Sequence, residues 1–306
     1  MQDLALQQPD TMTQFIIEDP IYKGEHCVVF LAHFASQPKR KVATKQLTNQ
    51  DEFTNEVEAH MASQRIATAN GQAAQIVELV GFNYAKQLIL TEFLPVGNLK
   101  DHLTKDKRHL SFNEKILLAK DVCGALLAVN EAGYIHSDIA ARNVLVYHNK
   151  EESRLRAKLC DFGCAKKNWS DTTTTGYTGD LRRLPPELVL LEMPNYKPNV
   201  DTWAYGLFLW ELWNDCKAEP FASCLTAEDI AELFKRMRNE QRPPMAFLTL
   251  PTNGSAQEGQ LKNLIETCLC FNPDLRTAMC LVKAHPVFAH VGTNVGNRST
   301  LSITGV

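Results

Sequence analysis

"YIHSDIAARNVLV", residues 134–146, sets His136, Ser137, Asp138, Arg142 and Asn143 between apolar anchors at both ends. Crowding polar groups against a core is costly unless each one is hydrogen-bonded or put to chemical use. Taken singly, Asp138 or Asn143 reads as a turn former whose side chain bonds nearby backbone. The positions lying outward from this stretch, in both directions, argue for more than a turn.

Upstream, "VATK" ends in Lys45 on a strand-like run, and eleven residues later Glu56 falls in the helical segment "DEFTNEVEAHMASQRI". Phe53, Val57 and Met61 recur four apart there, and Glu56 shares a face with Phe53 and His60 at i−3 and i+4. Glu58, two residues on, lies about 200° round the helix from Glu56. Downstream, "CDFGCA" supplies Asp161 just after the strand-like "RAKLC". "LPPEL" then supplies Glu187, "VDTWAYG" Asp201 and "NPDLRT" Arg276.

The chain carrying these positions has 306 residues, 44% apolar and 22% charged, with a formal charge of −3. That balance gives no reason to expect nucleic acid or an anionic membrane surface as partner. Nine cysteines without a regular framework read as free thiols in a reducing compartment. The N-terminus lacks a basic n-region and an apolar h-region, and "WAYGLFLWELW" (203–213) is too short to span a bilayer. The expectation is a cytoplasmic protein or the cytoplasmic part of a larger one.

Periodicity divides the chain in two. "FIIEDPIY", "CVVFLAHF", "KVATKQL", "IVELVGF" and "QLILTEF" read as strands of a small antiparallel sheet carrying one helix. After "LPVGNL" the texture turns helical. Ser111 stands three before Glu114 as a capping box, Gly133 closes that helix, and further helices are expected near 199–214, 227–239, 258–269 and 277–284. Residues 1–14 and 291–306 read as polar tails.

Lys45, Glu56, the Asp138-x₄-Asn143 loop, Asp-Phe-Gly at 161–163 and Pro-Pro-Glu at 185–187 occur in an order that resembles the eukaryotic protein kinase domain. The resemblance covers residues 15–290 and implies an α+β, bilobal fold: a β-rich N-lobe over about 15–94 and an α-helical C-lobe over about 95–290. It implies ATP and Mg²⁺ as cofactors. Lys45 would hold the α/β-phosphates with Glu56 fixing it, Asn143 and Asp161 would be the Mg²⁺ ligands, and Asp138 would take the acceptor proton. Gly24, Val29, Ala43, Thr91, Glu92, Leu94 and Leu145 complete the expected nucleotide-contacting set, with Thr91 as gatekeeper and 92–94 as hinge. Asp201 would anchor the catalytic-loop backbone, and Glu187 would pair with Arg276 in the large lobe.

"DIAARN" lacks the Lys two residues after the Asp that serine/threonine kinases usually carry, and its Ala-Ala-Arg is similar to the tyrosine-kinase loop. A phenol reaches Asp138 from farther away than a serine hydroxyl, and Arg142 can steady that longer geometry. "LRRLPPELV" is similar to the family's "VRWMPPE" segment, with Arg182 matching its Arg. The partner implied is a protein substrate with a tyrosine acceptor, or a serine or threonine.

Three positions depart from the pattern. The phosphate-covering loop reads "YKGEHCVV", where only Gly24 of three glycines is kept and Glu25 adds a negative charge. Glycine there lets backbone N–H groups approach phosphate. Ser137 stands where the family has an Arg that commonly pairs with a phosphorylated activation loop. Arg183 stands where it has Trp. Tyr177 and Thr172–Thr175 are candidate acceptors in that loop. An active tyrosine kinase, a dual or Ser/Thr kinase and a pseudokinase that binds nucleotide or partners are the readings carried forward. A small-molecule kinase fits less well, because residues 176–187 look like a peptide-docking segment.

Overall fold

Short runs rich in β-branched and aromatic residues pair, within residues 15–92, as a five-stranded antiparallel sheet. The computed structural model describes residues 15–24, 27–167, 180–191, 197–246, 248–250 and 254–289. The strands are β1 (Phe15–Lys23), β2 (Cys27–Phe34), β3 (Gln37–Leu47), β4 (Leu79–Asn83) and β5 (Leu88–Glu92), in the spatial order β1-β2-β3-β5-β4. Helix α1 (Gln50–Ala69) crosses from β3 to β4. Asn49 caps it, its side chain accepting from the Asp51 and Glu52 amides at 2.8 and 3.1 Å.

The register sorts the side chains. Val29 faces Lys45 across β2 and β3, while Ala43 and Lys45 face Thr91 and Ile89 across β3 and β5, so all five share one side of the sheet. On that side Leu47 and Ile89 pack against Phe53 and Val57 of α1. The other side buries Ala32, Val42, Leu88 and Leu90 in a small cluster under Phe15, Phe34 and Val80.

The rest of the chain is mainly helical: α2 (Leu99–Thr104), α3 (Phe112–Glu131), α4 (Pro186–Val189), α5 (Asn199–Trp213), α6 (Ala227–Asn239), α7 (Ala256–Cys268) and α8 (Met279–Lys283). Two small ribbons join them, β6 (Tyr134–Ile135) with β9 (Lys166–Lys167), and β7 (Val144–Asn149) with β8 (Arg154–Leu159). The capping box at Ser111 and Glu114 is formed, and Gly133 follows the Ala132 cap with φ +81°. Helix α5 is buried along almost its whole length. Its Gly206 permits close approach of α7, since a Cβ there would come within 2.8 Å of Cys268 Cβ.

The strand expected from Ile76 begins only at Leu79. Ile76 instead forms a parallel bridge to Leu159, and the Val77 amide donates to the Leu159 carbonyl at 3.0 Å. The backbone hydrogen bonds of this segment are satisfied by β8 rather than by the sheet, which ties the β-rich part to the helical part. The result is an α+β, bilobal architecture. Among the described residues, no helix is long and apolar enough to cross a membrane.

Candidate active site

Strand β3 and helix α1 bring Lys45 and Glu56 together. Lys45 Nζ lies 2.8 Å from both Glu56 carboxylate oxygens and 2.8 Å from Asp161 Oδ1. Glu58 points away and meets Lys167 at 3.3 Å. Burial alone would lower the Lys45 ammonium, but the Asp161 and Glu56 carboxylates outweigh it and hold its pKa well above the usual value. The Lys45 charge brings Asp161 down to about 2, whereas burial pushes Glu56 up to about 7 against the pull of Lys45. Glycine at 163 makes this convergence possible, because a Cβ there would stand 3.2 Å from Glu56 Oε2 and 3.3 Å from Asp161 Oδ1.

The 134–146 stretch forms the second half of the site. Asp138 is held through both oxygens: Arg142 Nη2 donates to Oδ1 at 2.5 Å and Asn143 Nδ2 to Oδ2 at 2.7 Å. Asn143 Nδ2 also reaches the Asp138 carbonyl at 2.8 Å. Below the loop, buried Asp201 accepts the His136 and Ser137 amides at 2.8 and 2.9 Å. Ser137 and Asp161 both adopt left-handed backbone, φ +67° and +65°, which costs each about 1–3 kcal/mol and persists only where the surroundings enforce it. For Ser137 the two bonds to Asp201 do so. The Ser137 hydroxyl itself is buried with no hydrogen-bond partner among the described residues.

The two halves are fastened by backbone. The Cys160 amide donates to the Asn143 carbonyl at 3.0 Å, and His136 Nε2 to the Cys160 carbonyl at 3.1 Å. Phe162 lies between two imidazoles, stacked on His60 at 4.6 Å and tilted against His136 at 5.1 Å. Burial lowers the His60 pKa to about 4, and its Nε2–H donates to the Val77 carbonyl at 2.7 Å.

The remaining expected positions fall along the sheet and the connector. Ala43 stands opposite Thr91. The Glu92 amide donates to the Glu78 carbonyl at 3.0 Å, and its carboxylate takes Lys158 Nζ at 2.5 Å. Leu145 is the cross-strand partner of that same Lys158. The Leu94 carbonyl accepts from the Gly97 amide at 3.1 Å, shaping the turn into α2. The Gly24 amide donates to the Cys27 carbonyl at 2.9 Å, and the Tyr22 ring crowds it so closely that a Cβ at 24 would meet Tyr22 Cε1 at 3.1 Å. Glu25, Thr172–Thr175 and Tyr177 lie outside the described residues.

Sequence reasoning passed over Glu211 and the depth of Arg183. Both are almost fully buried, with Arg183 Nη2 2.9 Å from Glu211 Oε2, directly behind the 138–143 loop. A signal existed: Glu211 is the one charged residue in "WAYGLFLWELW", and a charge inside an apolar helix demands a partner. The pair Glu187 and Arg276 is bidentate at 2.7 and 2.9 Å, and likewise buried.

Residues 15–285 match the family described as protein tyrosine and serine/threonine kinase. The chain is 27% identical to Fer-related kinase 1 of Caenorhabditis elegans over 82% of its own length and 59% of that protein's. It is 27% identical to human tyrosine-protein kinase TXK over 73% of the chain and 41% of TXK. It is also 27% identical to serine/threonine-protein kinase STY46 of Arabidopsis thaliana, over 63% of the chain and 30% of that relative. The chain thus aligns with about three fifths or less of the length of these curated relatives. With that match across both halves of the fold, the chain belongs to the protein tyrosine and serine/threonine kinase family.

Proposed function

We propose that this chain transfers the γ-phosphoryl group of Mg-ATP to a protein hydroxyl, with tyrosine as the preferred acceptor. The observation that carries the reading is the convergence of Lys45, Glu56 and Asp161 within 2.8 Å contacts, from positions as far as 116 residues apart. A fixed cation beside hard oxygen donors is the donor set a metal–triphosphate requires. When bound, Mg-ATP supplies the phosphoryl group, and the metal screens its charge.

The chain's own residues do the positioning. Lys45, held by Glu56, offers its ammonium to phosphate oxygens. Asp161 and Asn143 offer oxygen ligands to the metal. Val29, Ala43 and Leu145 offer apolar contact to the base, Thr91, Glu92 and Leu94 border it, and Gly24 lies in the loop over the phosphates. Asp138 orients the acceptor hydroxyl and takes its proton. Arg142, bonded to Asp138, supports the tyrosine preference, as does the likeness to human tyrosine-protein kinase TXK.

A second reading, a pseudokinase that binds nucleotide or partners without transfer, draws on Tyr22 crowding Gly24. An inactive tyrosine-protein kinase of Caenorhabditis elegans, kin-32, is also 27% identical over 57% of the chain. Incubation with labelled Mg-ATP and mixed Tyr, Ser and Thr peptides, followed by phosphoamino-acid analysis, separates these readings. Phosphotyrosine is expected; label on serine alone removes the tyrosine assignment.

A further inference from the structure

The segment from Asp180 to Leu184 places a full guanidinium charge behind the loop that holds Asp138. Arg183 is 2% exposed, and three carboxylates surround it: Glu211 Oε2 at 2.9 Å, Glu219 Oε2 at 3.6 Å and Asp180 Oδ2 at 3.9 Å from its nitrogens. The arginine also touches the loop directly, Nη1 donating to the Ile139 carbonyl at 3.3 Å. Glu211 touches the same loop from its other end, where Oε2 accepts the Ala141 amide at 3.0 Å. The ion pair therefore grips the two residues on either side of Ala140, midway between Asp138 and Arg142. The Nη2 contact to Glu211 is out of hydrogen-bonding line, so it acts as a charge contact rather than an aligned bond.

Resting on the phosphotransfer reading, we propose that Arg183 is a positioning residue: its buried charge locks residues 139–141 to the Asp180–Leu184 part of the activation segment (161–187), the task that a cation at 137 cannot perform where Ser137 stands. Three features support it. The contact is made by a side chain of the activation segment itself, so forming it requires no added phosphate. It is buried, so salt screens it little. And taking the cation away from a carboxylate as deeply buried as Glu211 is strongly destabilising. The rest of the network extends the hold, since Asp180 grips Arg182 at 2.9 and 3.0 Å and Glu219 also pairs with Lys100.

The test compares wild type, Arg183→Met and Arg183→Lys in the full chain by two readouts. The first is amide hydrogen exchange of residues 136–143 against residues 199–213. It reports the hold on the loop whether or not the chain transfers phosphate, so failure of this proposal is distinguishable from failure of the functional reading. The second is kcat for peptide phosphorylation against Kd for Mg-ATP, the latter measured by fluorescence of a labelled nucleotide. Arg183→Met is expected to speed exchange in 136–143 at least tenfold and lower kcat at least tenfold, with 199–213 and Kd within twofold of wild type. Arg183→Lys is expected to restore both readouts to within about threefold. Wild-type exchange in 136–143 of Arg183→Met, or a loss confined to Kd, overturns the proposal. If the methionine variant does not fold, Glu211→Gln takes its place, since it keeps an acceptor for the Ala141 amide. The same local pattern is then expected, and unchanged exchange overturns the proposal.

Discussion

Arg142 and Asp138 form a 2.5 Å ion pair across one turn of the loop, and the arginine side chain remains about a third exposed while the aspartate is nearly buried. The carboxylate is thus aimed from outside by a group that can also meet an incoming acceptor. Arg142→Ala should lower kcat on a tyrosine peptide by ten- to a hundredfold, about 1.4–2.7 kcal/mol in barrier. The melting temperature should fall only slightly, because Asn143 Nδ2 still holds the Asp138 carboxylate. Steady-state kinetics and a melt on the same preparation check this, and an unchanged kcat contradicts it.

Lys45→Met removes the cation that Glu56 and Asp161 share. Glu56 already sits near pKa 7 through burial, so it takes up a proton instead of remaining as an isolated charge, and the folded chain should survive. Phosphoryl transfer should fall at least a hundredfold. Circular dichroism together with a transfer assay tests both halves, and retained transfer excludes Lys45 from phosphate binding.

His60 makes stability depend on acid. Its pKa is about 4 in the fold against an ordinary 6.5, with burial as the main cause. Between those values the unfolded chain binds a proton that the folded chain refuses, so stability falls as pH drops through this window. The loss is about 2 kcal/mol from pH 7.5 to pH 5. His60→Leu should flatten that slope, while orphaning the Val77 carbonyl at a cost of about 1–3 kcal/mol at neutral pH. Urea midpoints at the two pH values read both effects, and an unaltered slope assigns the acid sensitivity elsewhere.

Arg276 and Glu187 are side chains at 0% and 3% exposure, tied by two bonds. Arg276→Ala leaves the buried Glu187 carboxylate of α4 without its partner, and should cost about 3–5 kcal/mol. Replacing both by apolar residues of similar volume should cost much less. Denaturant unfolding of the two variants distinguishes a broken pair from a lost one, and equal losses contradict this view of the pair.

The fold was legible where period and caps agree. The four-residue spacing of Phe53, Val57 and Met61 marks α1, the Ser111–Glu114 box opens α3, and β2 matches its strand-like run from Cys27 to Phe34. The start of β4 was not, because Ile76 and Val77 have strand character but satisfy their backbone against β8, a long-range choice that local pattern does not contain. Helix geometry separated Glu56 from Glu58, while the pairing of Glu56 with Lys45 followed from the kinase resemblance. The Arg183–Glu211 contact was not, since it joins segments 28 residues apart whose proximity depends on how α5 packs beneath the loop. Backbone strain at Ser137 was equally hidden, because only the two bonds to Asp201 reveal why a serine accepts φ +67° there.

The most direct measurement is transfer of labelled γ-phosphoryl from Mg-ATP to a tyrosine-containing peptide, wild type beside Asp138→Asn. Wild-type label on tyrosine, with at least a hundredfold less in Asp138→Asn, is the expected result. Wild-type label no higher than that of Asp138→Asn contradicts catalysis and leaves this fold as a binding module.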